Sequence, residues 1–77
     1  MKVNILLFGQ LTDITGTETI SMDDIIDTNS LVEILQQTYP ALLNSKFVVA
    51  VNKKVISANT LLTDNCTIAL LPPFSGG

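Results

Sequence analysis

The sequence predicts an α+β domain in which one helix lies across a mixed sheet of four to five strands. Three observations point there. Two segments, "KVNILLF" (residues 2–8) and "CTIALL" (residues 66–71), carry apolar side chains at both alternations, the pattern of strands covered on both faces. Between them, only the stretch from Ser30 to Tyr39 has helical spacing. Finally, the chain has 77 residues, and a domain of that size buries only roughly 60% of the surface its unfolded chain exposes. Its thin core has room for one sheet and one helix, but hardly for an enclosed active-site cavity as well.

The elements follow in order. In the first strand Val3, Ile5 and Leu7 share one face, and Leu6 and Phe8 share the other. "DITG" reads as a turn, with Gly16 free to take positive φ. "TETISM" (residues 17–22) alternates and is expected to pair with the first strand as a hairpin. Ser30 followed by Glu33 fits a capping box, so the helix is expected to start there. Leu31, Ile34, Leu35 and Thr38 continue it, and Tyr39-Pro40 ends it, because proline disfavours α geometry in the residue before it. So short a helix is marginal alone and needs packing on the sheet. "KFVVAVN" (residues 46–52) is a β-branched third strand, "NKK" turns the chain, and "VIS" returns as a short edge strand. "LLTDN" (residues 61–65) is a loop in which Asn65 can adopt the left-handed conformation. The last strand leads directly into the end of the chain.

Composition removes several functions. Charged residues are 14% of the chain against 47% hydrophobic, where about 25% charged is usual. Part of the apolar content must then face outward, as it does on proteins that work in complexes. The net charge is −3, and all 4 basic residues are lysines: Lys2, Lys46, Lys53 and Lys54. Nucleic-acid binding needs a basic patch that displaces counterions, and none is available; a basic protein partner fits the acidic surface better. A single cysteine permits no internal disulfide and fits a reducing cytosol. No apolar run approaches the roughly 20 residues of a membrane span, and the N-terminal run lacks a signal-peptide cleavage site. A cytoplasmic protein is expected.

Candidate chemistry is sparse. The chain has 0 histidines, which rules out a Ser-His-Asp triad, a Cys-His pair and any His-containing zinc site. Cys66 has no neighbouring base or cation in sequence to favour a thiolate, and reads as a small buried strand residue. Asp23, Asp24 and Asp27 lack the glycine and distant glutamate of a calcium loop; they read as a solvated acidic segment whose charge suits the helix N-terminus. No metal site is expected. "FGQ" has no phosphate-loop lysine, so nucleotide binding is unsupported.

The end of the chain, "PPFSGG", is different. At an average glycine frequency of about 7%, a terminal Gly-Gly arises in roughly one chain in 200. Pro72 and Pro73 fix φ and favour an extended exit from the last strand. Phe74 is a large apolar group where its own core is out of reach. Gly76 and Gly77 carry no Cβ, so the terminal carboxylate can thread a narrow channel. We therefore divide the chain into a domain over residues 1–71 and a functional tail over residues 72–77.

"FGQ" after the first strand, "YPAL" after the helix, "AVN" in the third strand, "LTD" before the last and "PPFSGG" at the end resemble the MoaD family. These are the small, sulfur-carrying subunits of molybdopterin synthase, and their fold is the β-grasp, or ubiquitin-like, fold. The resemblance covers nearly the whole chain, and its most specific part is the Pro-Pro-x-Ser/Thr-Gly-Gly ending. It implies that an activating enzyme of the MoeB type spends ATP to adenylate the carboxylate of Gly77. Sulfur from a donor protein then converts it to a thiocarboxylate. The tail, through Pro73, Phe74, Ser75 and Gly76, enters a large catalytic subunit of the MoaE type within a heterotetramer, and sulfur passes to precursor Z. No permanently bound cofactor is implied. The chain departs from the family pattern at Thr12, beside Asp13, where an arginine is common, and at Asn65-Cys66, where Gly-Asp is common. Two other readings share the Gly-Gly ending: a sulfur carrier for thiamin thiazole synthesis and a ubiquitin-like protein modifier.

Overall fold

The computed structural model describes residues 2–73. In chain order its elements are β1 (Lys2–Leu7), α1 (Gln10–Thr15), β2 (Thr19–Asp23), α2 (Thr28–Thr38), a 3-10 turn (Pro40–Asn44), β3 (Val48–Val51), β4 (Lys54–Ile56) and β5 (Cys66–Leu71). The five strands form one sheet in the order β2-β1-β5-β3-β4. β1 and β5 run parallel in its middle, from Val3 opposite Cys66 to Leu7 opposite Leu70. The other pairings are antiparallel. One main helix over this mixed sheet is the expected β-grasp plan.

The inner face of the sheet carries the core. Val3, Ile5 and Leu7 of β1 and Cys66, Ile68 and Leu70 of β5 are buried there, beneath Leu31 and Leu35 of α2. Leu11 of α1 and Leu42 of the 3-10 turn close the tail-side end of the layer, and Ile25 and Leu62 complete the cluster.

Two local readings change. The "DITG" segment is not a turn but the end of helix α1, and Gly16 at φ 75° closes that helix in the left-handed form while its N–H donates to Thr12 O. With only Leu11 and Ile14 apolar, so short a segment never displays a helical period. The main helix also starts earlier than Ser30. Asp27 is its N-cap, and Asp27 Oδ1 accepts the Ser30 N–H at 2.9 Å. Asn59 explains the choice. Its Nδ2 donates to Asp27 Oδ2 (3.2 Å), and its Oδ1 accepts the Asn29 N–H (2.9 Å) and the Thr28 hydroxyl (3.3 Å). A residue 32 positions along the chain thus holds the carboxylate in its capping pose.

The turns behave as their residues predict. Asn52 and Lys53, at φ 48° and 73°, form the two-residue connection of the β3–β4 hairpin, whose right-handed twist requires positive φ at both positions. Asn65 is left-handed at φ 63°. Among the described residues no helix is long and apolar enough to cross a membrane.

Hydrogen bonds from Ser30 and Asn59 hold the Asp27 carboxyl below its ordinary value of 3.8. A carboxyl more acidic in the folded than in the unfolded chain stabilises the fold above that ordinary value, and the contribution is lost as pH falls through the lowered one. Asp27→Ala should therefore lower the melting temperature at pH 7 and narrow its gap from the parent as pH falls below about 4. Melts from pH 7 to pH 2 check this; a gap independent of pH would refute it.

Candidate functional site

A strand that leaves the middle of a sheet carries the chain out from its most rigid part. β5 does so at Leu71: Pro72 is half-buried, and Pro73 stands exposed beyond the sheet. Of the tail residues singled out above, Pro72 and Pro73 are described. Phe74, Ser75, Gly76 and Gly77 lie outside the described residues.

Three surfaces meet at this exit. The first is the outer face of the sheet, which no helix covers among the described residues. Leu6 of β1, Phe8 just after it, Ala69 and Leu71 of β5, Ala50 of β3 and Val55 of β4 line a mainly apolar depression there, with Asn52, Lys53 and Thr67 as its polar members. Phe8 and Val55 remain 43% and 57% exposed. The apolar character belongs to the tail end of this face. Towards the other end it turns polar, where Ser21 Oγ approaches Asn4 Oδ1 at 3.5 Å and Asn52 Oδ1 accepts the Thr67 N–H at 3.0 Å. The two-faced apolar pattern read from residues 2–8 and 66–71 thus has separate causes: one alternation fills the core, and the other makes this open patch.

The second surface is a groove between α1 and the segment after the 3-10 turn. Gln10, Asp13, Ile14, Asn44, Ser45 and Lys46 line it, with Pro73 at its rim. The third is the turn at Phe8-Gly9. The Phe8 N–H donates to Leu70 O (3.2 Å), and the Thr12 N–H donates to Gly9 O (3.1 Å). Thr12, at the position where an arginine was noted as common, turns its hydroxyl inward to Leu7 O at 3.1 Å. It secures the turn instead of presenting a charge.

Cys66 is buried, 3% exposed, in the inner face of β5. Asp27 caps α2, at the far end of the molecule from Pro73. Among the described residues no group of three or more His, Cys, Asp or Glu could hold a metal ion. Every buried side-chain nitrogen and oxygen among them has a hydrogen-bond partner, as folded interiors require.

The ThiS family model matches residues 5–77. Over 82 positions the chain is 34% identical to the molybdopterin synthase sulfur carrier subunit of Mycobacterium tuberculosis, spanning 100% of this chain and 99% of that protein. A solved complex of subunits 1 and 2 of the molybdopterin-converting factor from Helicobacter pylori contains a chain 32% identical to this one. It has a TM-score of 0.74, with 100% of each chain covered. The small archaeal modifier protein 1 of Methanosarcina acetivorans is 26% identical, with a TM-score of 0.83 over 99% of this chain and 96% of that one.

Burial gives Cys66 a direct test. A thiol reagent should leave the native protein unmodified and label it fully once denatured, and Cys66→Ser should cost about 1–3 kcal/mol of stability by placing a hydroxyl in an apolar layer. Rapid labelling of the folded chain would show the thiol to be accessible.

Proposed function

Because this chain belongs to the ThiS family, we propose that it is a sulfur carrier, the small subunit of a molybdopterin synthase, and that the carboxylate of Gly77 bears the sulfur. The observation that carries this reading is the "PPFSGG" ending set on the central strand beside an uncovered apolar face. A carrier needs a body that a partner can grip and a narrow tip that the partner's site can admit; this chain has both. The two relatives above 30% identity bear molybdopterin names, which favours that pathway over thiazole synthesis.

The chemistry follows from what a carboxylate lacks. It has no leaving group, so an activating enzyme joins a Gly77 oxygen to the α-phosphorus of ATP, releasing pyrophosphate. The terminal sulfur of a donor protein's persulfide then attacks the acyl carbon and expels AMP, giving an acyl disulfide. A second thiol attacks the donor's cysteine sulfur, forms a disulfide with it, and releases the acyl group as the thiocarboxylate. One oxygen has been replaced by sulfur, and the thiocarboxylate is a far better nucleophile. In the large subunit this sulfur passes to precursor Z and contributes to the dithiolene, and water restores the carboxylate. The carrier's own groups perform no proton transfer in this scheme: the chain has 0 histidines and its cysteine is buried. Its contribution is presentation. Holding the reacting group in a defined place converts a bimolecular encounter into a nearly intramolecular one.

The apolar patch around Phe8 and Leu71 is the surface that the activating enzyme and the large subunit grip in turn. Excess negative charge on the carrier favours basic partners and speeds their encounter. The likeness to a small archaeal modifier protein favours a second reading, conjugation of Gly77 to lysines of other proteins. Intact-mass measurement on protein from its native cell separates the two: replacement of oxygen by sulfur marks a carrier, and high-mass adducts mark a modifier.

Deleting Gly77, extending the chain beyond it, or replacing Gly76 with a bulky residue should abolish sulfur transfer while leaving the melting curve unchanged. Normal molybdopterin yield from the Gly77-deleted protein in a reconstituted assay would end the proposal. Phe74 should serve as the tail's anchor in the partner. Burying its ring there is worth on the order of 1.5–3 kcal/mol, so Phe74→Ala should weaken the complex roughly ten- to a hundredfold with little change in the free domain's stability. Calorimetric titration and melts read both; unchanged binding with a sharp fall in melting temperature would place the ring in the core instead.

A further inference from the structure

Gly9, the residue after Phe8 at the tail-side end of β1, faces the first proline of the tail. Gly9 has φ 59° and ψ −138°, a conformation in practice reserved for glycine. It also has a second reason to be glycine. A Cβ built on Gly9 would stand 2.8 Å from Pro72 Cγ and 3.7 Å from Pro72 Cδ, inside van der Waals contact with a stiff ring held against the sheet. The parallel register explains the meeting: Leu7 lies opposite Leu70, so two further steps set Gly9 beside Pro72. Proline cannot donate to the ladder at that point, and Gly9 O is already engaged by the Thr12 N–H. Ring and backbone therefore meet by packing alone.

We propose that Gly9 is a positioning residue for the tail: its missing side chain is the seat of the Pro72 ring, and that seat sets the direction in which Pro72 and Pro73 carry the chain off the sheet. The inference rests on the reading of the tail as the working part of the molecule. Its leverage is geometric. The five residues after Pro72 reach at most ~17 Å, so a turn of ~10° at Pro72 sweeps the tip by up to about 3 Å. A misplacement of about 1 Å can cost on the order of a hundredfold in rate when a reacting group must be held in place.

The test uses the full chain in four forms: unmodified, Gly9→Ala, Pro72→Ala and the double variant. The readout is the residual dipolar coupling of the Phe74 amide, the first N–H after the two prolines. Gly9→Ala should change that coupling while those of the sheet and α2 are reproduced. Adding Gly9→Ala to Pro72→Ala should leave it unchanged, because no ring remains to be displaced. Backbone strain at residue 9 is present in both backgrounds, so a merely structural role would shift both alike, and that result overturns the seat. So does an unchanged coupling in Gly9→Ala. In the unmodified chain, nuclear Overhauser contacts between the Gly9 Hα protons and the Pro72 ring are expected, and their absence overturns the proposal even if a variant fails to fold. These readouts do not depend on what the tail carries. Couplings that shift as expected in a chain that never forms a thiocarboxylate would refute the carrier reading and leave the seat standing.

Discussion

The parallel pairing of β1 with β5 is the constraint on which the rest of the structure depends. It joins the two ends of the chain, with Val3 opposite Cys66, and places both strands in the middle of the sheet. Parallel neighbours cannot be linked by a tight turn, so everything between them must form a crossover. α2 is that crossover's packing element, and Leu31 and Leu35 cover the inner face that the pair creates. The Lys2 N–H donates to Asp64 Oδ1 at 2.8 Å, and the Asn65 N–H donates to Lys2 O at 2.7 Å, which pins the start of the register. Contacts of such sequence separation form only after a large loss of loop entropy, so formation of this pair is the expected slow step of folding.

The same pairing decides where function can sit. A terminal tail that continued an edge strand would fray with that edge. Here it continues a strand hydrogen-bonded on both sides, to β1 and to β3. Local opening is least favourable in such a strand. The tail thus starts from a strand held on both sides, and among the described residues no helix packs on the outer face beside it, α2 lying on the inner face. Among the described residues, this leaves helix α2 on one side of the sheet and an apolar depression on the other.

At the far end of the molecule a polar network adds to the burial of Ile25 and Leu62. Asn59 ties the segment before Leu62 to the start of α2 through Asp27, Thr28 and Asn29. The Thr60 N–H donates to Thr28 Oγ1 at 2.9 Å, and the Thr28 N–H donates to Thr60 O at 3.0 Å. Thr28 is buried, and a buried hydroxyl without these partners would be costly. A loop with few apolar residues therefore keeps its place without enlarging a core that so short a chain cannot supply.

Wherever the deciding interactions are local, the sequence by itself determined the outcome. The bounds of β5 follow from β-formers flanked by Asn65 and Pro72, and the β3–β4 turn follows from two residues able to take positive φ. The exclusion of His-containing triads and zinc sites follows from composition alone. Tertiary structure decided what depends on distant partners. Asp27 caps α2, although Ser30 and Glu33 offer a capping pattern, because Asn59 holds its carboxylate. Thr12 and α1 are fixed by packing at the end of β1, since so short a helix has too few residues to encode itself. That apolar alternation places Leu6, Phe8, Ala69 and Leu71 on an open face, and not against a second helix, was invisible in one dimension, because periodicity reports that a face is apolar and not what covers it. The fit of Gly9 to Pro72 is the extreme case: neither residue signals the other, and only the register of the central pair brings them together.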